Sequence, residues 1–373
     1  MATIYLDFNA STPLSPIVTE AMKPFLDAAF GNPSSEHWAG KPAKAALDRA
    51  REQVAGSLGC APDEIVFTSG GTEANNLAIK GTYFAAGNAR AHVVTSAIEH
   101  PAVLNPCRFI EKLGGQVTYL PVDAGGRVDP DQVRSAITPR TVLITIMHAN
   151  NETGTIQPIE EIAAIARDHG VRFHTDAAQS VGKIGTAVDD LGVDLLTIAG
   201  HKLYAPKGVG ALYMRRGTAL EPLLSGAGHE HGRRAGTESV LLTTGLGAAS
   251  ELVRDLAPMA RVARLRDRFW AGLEARFPGR VIRNGDPVHC LPNTLNVAFP
   301  GRVGAEILRQ LDGVAASTGS ACHAGRIELS PVLKAMGVPP EVGMGAIRFS
   351  LGRSTTAGEI DQVLEMLEQV LQA

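Results

Sequence analysis

Val193-Asp194-Leu195-Leu196-Thr197-Ile198-Ala199-Gly200-His201-Lys202 is the stretch on which the reading of this chain turns. Its apolar run, 193–198, reads as a strand. Gly200 stops the run, and the strand end delivers a lysine beside a histidine. Leu203-Tyr204-Ala205-Pro206-Lys207-Gly208 then punctuates a loop before a second strand at about 210–214. A lysine in that position suits covalent chemistry at a carbonyl carbon, provided a crowded, partly dry site removes its proton. Most loop lysines are solvated charges, so the weight of Lys202 depends on what the rest of the chain brings to it.

Upstream, strands are expected at 64–68, 92–96, 116–120, 142–147 and 171–175, alternating with helices at 74–86, 101–113, 129–136 and 159–169. Helices are also expected at 40–58 and, from Ser15-Pro16, to about residue 28. Regular alternation predicts an α/β domain whose mostly parallel sheet is covered on both faces. Ligands collect at the carboxyl ends of such strands. The polar residues just after each strand are Gly71, Thr72 and Glu73; Glu99 and His100; His148, Asn150, Asn151 and Glu152; Asp176 and Gln179; and His201 and Lys202. Each has an ordinary structural role available, such as an N-cap for Asp176 or a turn for Asn150-Asn151.

Ser69-Gly70-Gly71-Thr72-Glu73 stands between a strand and a helix. Bare N–H groups at a helix start can hold a phosphate, and glycine lets the ligand approach. No Lys-Ser or Lys-Thr follows, so it is not a Walker A loop, and the GxGxxG spacing is absent. Together the strand ends supply a phosphate cradle, an imidazole, amides, an acid and a lysine. Pyridoxal 5'-phosphate needs such a set: a lysine for its aldehyde, a carboxylate for its ring nitrogen, N–H groups and hydroxyls for its phosphate, a flat partner for its ring and a donor for its phenolic oxygen. Lys202, Asp176, Gly71 with Thr72, His100 and Gln179 fit those roles.

The 373 residues carry a formal net charge of -3, which leaves no basic footprint for nucleic acid. No apolar run reaches membrane-spanning length, and the start shows no basic segment followed by an apolar one. Cys60, Cys107, Cys290 and Cys322 lie far apart without a CxxC pair, which argues against a disulfide framework or a zinc site and for a reducing cytoplasm. The segment 221–238, rich in glycine and histidine, reads as a charged surface loop. A long helical stretch over about 239–277 leads into a smaller α+β domain. Its expected strands are 281–283, 293–299, 314–316 and 345–349, and its helices 304–311 and 356–371. The expected division is a large domain of 15–255 and a small one of 1–14 with 256–373. Cys322 falls in a polar, glycine-containing loop next to His323, a setting that favours thiolate. Cys60 and Cys107 read as inert, buried thiols.

The whole chain, in order, resembles the fold-type I, class V aminotransferase-like enzymes, and within them the cysteine desulfurase and selenocysteine lyase family. The matching pieces are Tyr5-Leu-Asp-Phe-Asn-Ala-Ser-Thr-Pro13, Gly31-Asn-Pro-Ser-Ser35, Phe67-Thr-Ser-Gly-Gly-Thr-Glu73, Glu99-His100 and Met147-His-Ala-Asn-Asn-Glu-Thr-Gly154. They continue with His174-Thr-Asp-Ala-Ala-Gln-Ser180, Gly200-His-Lys202, Arg234-Ala-Gly-Thr237, Ser320-Ala-Cys322 and Ile347-Arg-Phe-Ser-Leu-Gly-Arg353. The resemblance implies pyridoxal 5'-phosphate bound covalently to Lys202. Asp176 is then expected on the pyridine nitrogen, His100 on the ring, Gln179 on the phenolic oxygen, and Gly71, Thr72 and His201 on the phosphate. Thr237 would reach the phosphate of a partner subunit, making a homodimer with shared sites, and the segment 221–238 would be an active-site element offered to that partner rather than a surface loop. Asn151, Arg348 and the mobile-element residue Asn32 would bind the substrate, L-cysteine or L-selenocysteine. Cys322 would take the sulfur as a persulfide and pass it to an acceptor or scaffold protein, as in iron-sulfur cluster assembly.

Two departures bear on the substrate. Ala199 stands where many bacterial desulfurases have serine, and Ala-Cys322-His323 is similar to the run in animal selenocysteine lyases. Other readings are an aminotransferase of the same fold, which would release a keto acid rather than alanine, and a non-catalytic partner protein, which would be colourless.

Overall fold

The computed structural model describes residues 3–87, 91–318, 322–323 and 326–372; of the side chains at 322, 323, 326 and 327 nothing is described. The strands, in chain order, are β1 (Ile4–Tyr5), β2 (Ile65–Thr68), β3 (His92–Ser96), β4 (Gln116–Leu120), β5 (Thr141–Thr145), β6 (Arg172–Asp176), β7 (Leu195–Ala199) and β8 (Gly210–Met214). They continue with β9 (Ile282–Asn284), β10 (Thr294–Ala298), β11 (Val314–Ala315), β12 (Cys322–His323), β13 (Arg326–Ile327) and β14 (Ala346–Ser350).

Seven of them form one sheet in the order β2-β8-β7-β6-β5-β3-β4. From β7 to β4 every pairing is parallel, while β8 runs antiparallel to both β7 and β2. Two reversals cancel, so β2 points the same way as β7. The carboxyl ends of β2, β3, β5, β6 and β7 therefore share one edge of the sheet. Both faces are dry, because successive side chains in a strand point to opposite sides. Val94, Ile144, Phe173 and Leu196 pack with Leu47, Val54, Ile162 and Leu246 in one cluster. Their neighbours Val93 and Leu143, and Leu195 and Leu212, pack into clusters on the other face with Ile79, Val103 and Leu77. His174 lies inside the sheet, its ring nitrogens bonded to the Thr145 and Thr197 hydroxyls, and burial pushes its pKa down to about 3.

A second body is built on the antiparallel sheet β14-β10-β9, with Leu295, Val297 and Phe349 packed on Phe269, Leu273 and Leu364. The N-terminal segment belongs with it: β1 pairs with β11, and Ile4 and Leu6 enter the same cluster.

Several expected boundaries move, for identifiable reasons. The first helix is Pro16–Met22, followed by a 3-10 turn at Lys23–Phe25, because Pro24 cannot continue an α-helical ladder. The helix expected at 74–86 is Gly71–Ala85, so Thr72 sits in its first turn. The long stretch 239–277 divides into Val240–Arg254 and Ala257–Arg276. Asp255 leaves helical geometry at the break, and its carboxylate accepts from the Ala257 N–H, just before Pro258. Cys60 follows its helix rather than lying in it and is half-buried; Cys107 is fully buried, and burial pushes both thiols up to about 12. The Cys322 loop contains backbone pairing, β12 with β13.

The segment 221–239 is clasped to the sheet. As an edge strand, β2 leaves the Phe67 N–H facing outward, and it donates to Glu230 Oε2 at 2.9 Å. Arg51 donates to both oxygens of the same carboxylate, at 2.8 and 2.6 Å. This fork fixes Glu230 and His231 although both hold left-handed backbone angles, φ 48° and 56°. Removing one member of a buried pair strands the other charge. Glu230→Ala should therefore lower unfolding free energy by about 3–5 kcal/mol in urea titration.

Candidate active site

The shared strand-end edge opens into a cavity of about 580 Å³. The structure brings Gly71, Thr72, His100, Asn151, Asp176, Gln179, His201, Lys202 and Arg348 to its wall. Asn32 and Thr237 are exposed and lie outside it; the Asn32 side chain turns back to accept the Ser34 N–H at 2.9 Å. Cys322 lies outside the described side chains.

Lys202 closes a 3-10 turn, Gly200–Lys202, directly after β7. Its Nζ donates to the main-chain oxygens of Asn9 at 2.5 Å and Ala10 at 2.9 Å. Burial pushes its pKa down to about 8, the Arg348 charge adds to the fall, and Asp176 and Asp7 oppose it. The result is an amine that yields its proton near neutral pH.

Asp176 ends β6 and is buried. Asn75 Nδ2 donates to its Oδ2 at 2.7 Å and the Ala178 N–H to its Oδ1 at 2.9 Å. The helix Gly71–Ala85 begins at Gly70, whose φ of 150° suits only glycine. Its first internal bond runs from the Ala74 N–H to Gly70 O, so the N–H groups of Gly71, Thr72 and Glu73 have no partner within the helix. A Cβ at Gly71 would come within 3.0 Å of the Ala199 Cβ, so the helix start packs on the end of β7.

His100 caps the next helix, its Nδ1 accepting from the Ala102 N–H at 3.1 Å. Its surface is open to the cavity, yet the protein packed around it holds its pKa down, as does Lys202 against the pull of Asp176. Burial pushes His201 down to about 4, reinforced by Lys202 and Lys207. Arg348, on β14, donates to Asp7 Oδ1 and to Asn151 O, each at 2.8 Å, while its Nε is buried without a partner among the described residues.

Sequence reasoning assigned no role to Asn9, Asn75 or Lys183, and named Glu99 only as a strand-end residue. Asn9 joins the two bodies: it donates from Nδ2 to Thr294 Oγ1 and from its N–H to Ser350 Oγ. Asn75 braces Asp176 from the buried face of its helix, one turn beyond Thr72, where an amide is out of pattern. Lys183 follows Gln179 by one helical turn's spacing and is buried. Glu99 is fully buried, accepting from Ser96 Oγ and the Met147 N–H, with Oε2 unpartnered.

Residues 4–363 match the family described as aminotransferase class-V. The chain is 50% identical over 373 residues to the cysteine desulfurase IscS of Dictyoglomus turgidum, covering 99% of this chain and 94% of that protein. It is 48% identical over 376 residues to a cysteine desulfurase of a Nostoc species, covering 100% and 94%. Among solved structures, a NifS-like protein superposes with a TM-score of 0.93 at 35% identity, covering 99% of both chains. SspA in complex with cysteine superposes with a TM-score of 0.85 at 41% identity, covering 95% of this chain and 100% of that one.

Burial raises the Glu99 carboxyl from 4.5 to about 8. The folded chain then binds a proton that the unfolded chain releases between those values, so the stability this group contributes is complete below 4.5 and is lost as pH rises towards 8. Glu99→Gln should melt close to the parent at pH 5 and be more stable than it at pH 9, by roughly 4 kcal/mol. Calorimetry across that range measures the gap.

Proposed function

The chain belongs to the aminotransferase class-V family, and on that premise we propose that it is a cysteine desulfurase, converting L-cysteine to L-alanine and sending the sulfur onward through Cys322. The observation that carries this reading is the convergence, on one cavity, of a proton-yielding Lys202, a buried Asp176 carboxylate and a glycine-led helix start. The enzyme is pyridoxal 5'-phosphate-dependent. Its own donor set fits that group: open N–H groups beside Gly70, an acid braced by Asn75, and an amine resting only on carbonyl oxygens.

Lys202 would hold the cofactor through Nζ, Asp176 its pyridine nitrogen, Gln179 its phenolic oxygen and His100 its ring face. Gly71, Thr72 and His201 would hold the phosphate, with Asn151 beside them. Ala199 offers no hydroxyl there, while Ser69 and Ser11 line the same cavity. When bound, the cofactor supplies an electron sink at the substrate α carbon. The guanidinium of Arg348, with Asn151, suits the substrate carboxylate. Lys202, whose amine yields its proton near neutral pH, takes the substrate α proton through Nζ. The Cys322 thiolate then attacks the substrate sulfur. A sulfur–sulfur bond forms, the carbon–sulfur bond breaks, and its electron pair ends with a proton on the methyl carbon of alanine.

Thr237, exposed and away from its own cavity, supports a homodimer in which each subunit completes its neighbour's phosphate site, and Asn32 would join the substrate only on movement of its loop. The division at 15–255 against 1–14 with 256–373 is supported by the separate hydrophobic clusters. A cytoplasmic setting is in keeping with the free thiols of Cys60, Cys107 and Cys290; among the described residues no helix is long and apolar enough to cross a membrane. Ala199 and His323 favour selenocysteine as a second substrate, and the ratio of alanine formation from the two amino acids measures that preference.

Cys322→Ala should cut alanine formation from cysteine by about 100-fold or more while retaining formation from selenocysteine, because selenium leaves more readily. Undiminished turnover of cysteine would sink the persulfide step, and pyruvate in place of alanine would mark an aminotransferase. Lys202→Ala should abolish the cofactor's protein-linked visible band as well as turnover, read by absorbance after dialysis.

A further inference from the structure

Lys183 is a buried lysine that the scheme above leaves unused. It is 8% exposed and lies in the turns after β6. Its Nζ donates to Gln179 Oε1 at 2.8 Å and to Asn9 Oδ1 at 3.2 Å. Both acceptors are amide oxygens rather than carboxylates, so neither offers the charge that a buried ammonium needs. Two acceptors match the two N–H bonds of an uncharged amine. Burial lowers the affinity of Lys183 for its proton, and the nearby Lys202 and Arg348 charges lower it further.

The two contacts have consequences for the site. An amide can present either end to a given direction. With Oε1 engaged by Lys183, Gln179 must turn Nε2 the other way, where it donates to Asn9 O at 2.9 Å. The same carbonyl accepts from Lys202 Nζ. On the Asn9 side chain, Lys183 and Asn293 Nδ2 together occupy Oδ1, which leaves Nδ2 for Thr294 and Asn151 O. One amine thus sets the sense of two carboxamides and, through Asn9, the resting place of a third group, the Lys202 amine.

Resting on the desulfurase reading, we propose that Lys183 is a positioning residue: its buried amine orients Gln179 and Asn9 so that Gln179 presents an N–H at the cavity and Lys202 finds its carbonyl acceptors. It touches neither substrate nor reacting atoms. Its action runs through Gln179, which a double-mutant cycle isolates.

The test uses the cofactor-loaded enzyme and its cofactor-free form, with Lys183→Met, Gln179→Ala and the double variant. Lys183→Met should lower kcat for alanine formation from cysteine by about 10-fold or more, with KM changed less than about threefold. In the Gln179→Ala background the same substitution should cost less than about twofold. In the cofactor-free protein, labelling of Lys202 by an amine-reactive anhydride, followed by mass spectrometry against pH, should show a displaced midpoint. Independent effects of the two substitutions, or an unmoved labelling midpoint, would overturn the proposal. If Lys183→Met fails to fold, the same readouts on Lys183→Gln, which keeps an uncharged N–H donor, decide between those outcomes. Absence of alanine from the unsubstituted enzyme would instead overturn the desulfurase reading and leave the labelling result standing.

Discussion

A buried amine must be held without being paired to a carboxylate, and the way this chain meets that constraint organises everything around it. Lys202 rests on two main-chain carbonyls, those of Asn9 and Ala10. A carboxylate there would stabilise the ammonium and fix the proton in place. Carbonyl dipoles are weaker acceptors, so burial and the neighbouring Arg348 can prevail. The acid in the cavity, Asp176, is meanwhile committed to Asn75 and Ala178. Acid and amine therefore share a cavity without pairing off.

The carbonyls come from the N-terminal segment, and that segment is held from both bodies: Gln179 and Lys183 of the large one also reach Asn9, and the small one grips it at Asp7 and Asn9. Asp7 is bonded to Arg348 and Ser317, and Asn9 to Ser350 and Thr294. The site is consequently a joint between two bodies. Shifting one relative to the other would change the surroundings of Lys202 before it changed any fold. Arg348 serves both sides of the joint: it anchors Asp7, and it lines the cavity.

Strands were easy to read because their signal is local: apolar runs ended by glycine or polar turns. Knowing their order in the chain was enough to expect one functional edge, and nine expected residues do meet there. What escaped notice was non-local. Asn9 is a single polar residue in a broken segment, and its partners lie hundreds of positions away, so no spacing marks it. Lys183 looks like a surface lysine until the fold buries it. The break at Asp255 was hidden by helical propensity on either side, with Pro258 as the clue that should have divided the stretch. Asn32 and Thr237 were expected from resemblance, and within one chain neither reaches the cavity.

The pairing of Asn9 with Ser350 and Asp7 with Arg348 also sets an order in time. During synthesis the N-terminal segment emerges long before β14, the strand that anchors it. The large sheet can form in between, with Lys202 already in its turn but its carbonyl seat not yet fixed. Only a chain that has reached β14 gives that lysine its final surroundings. Products that stop short of that strand thus lack the anchored seat on which the chemistry depends.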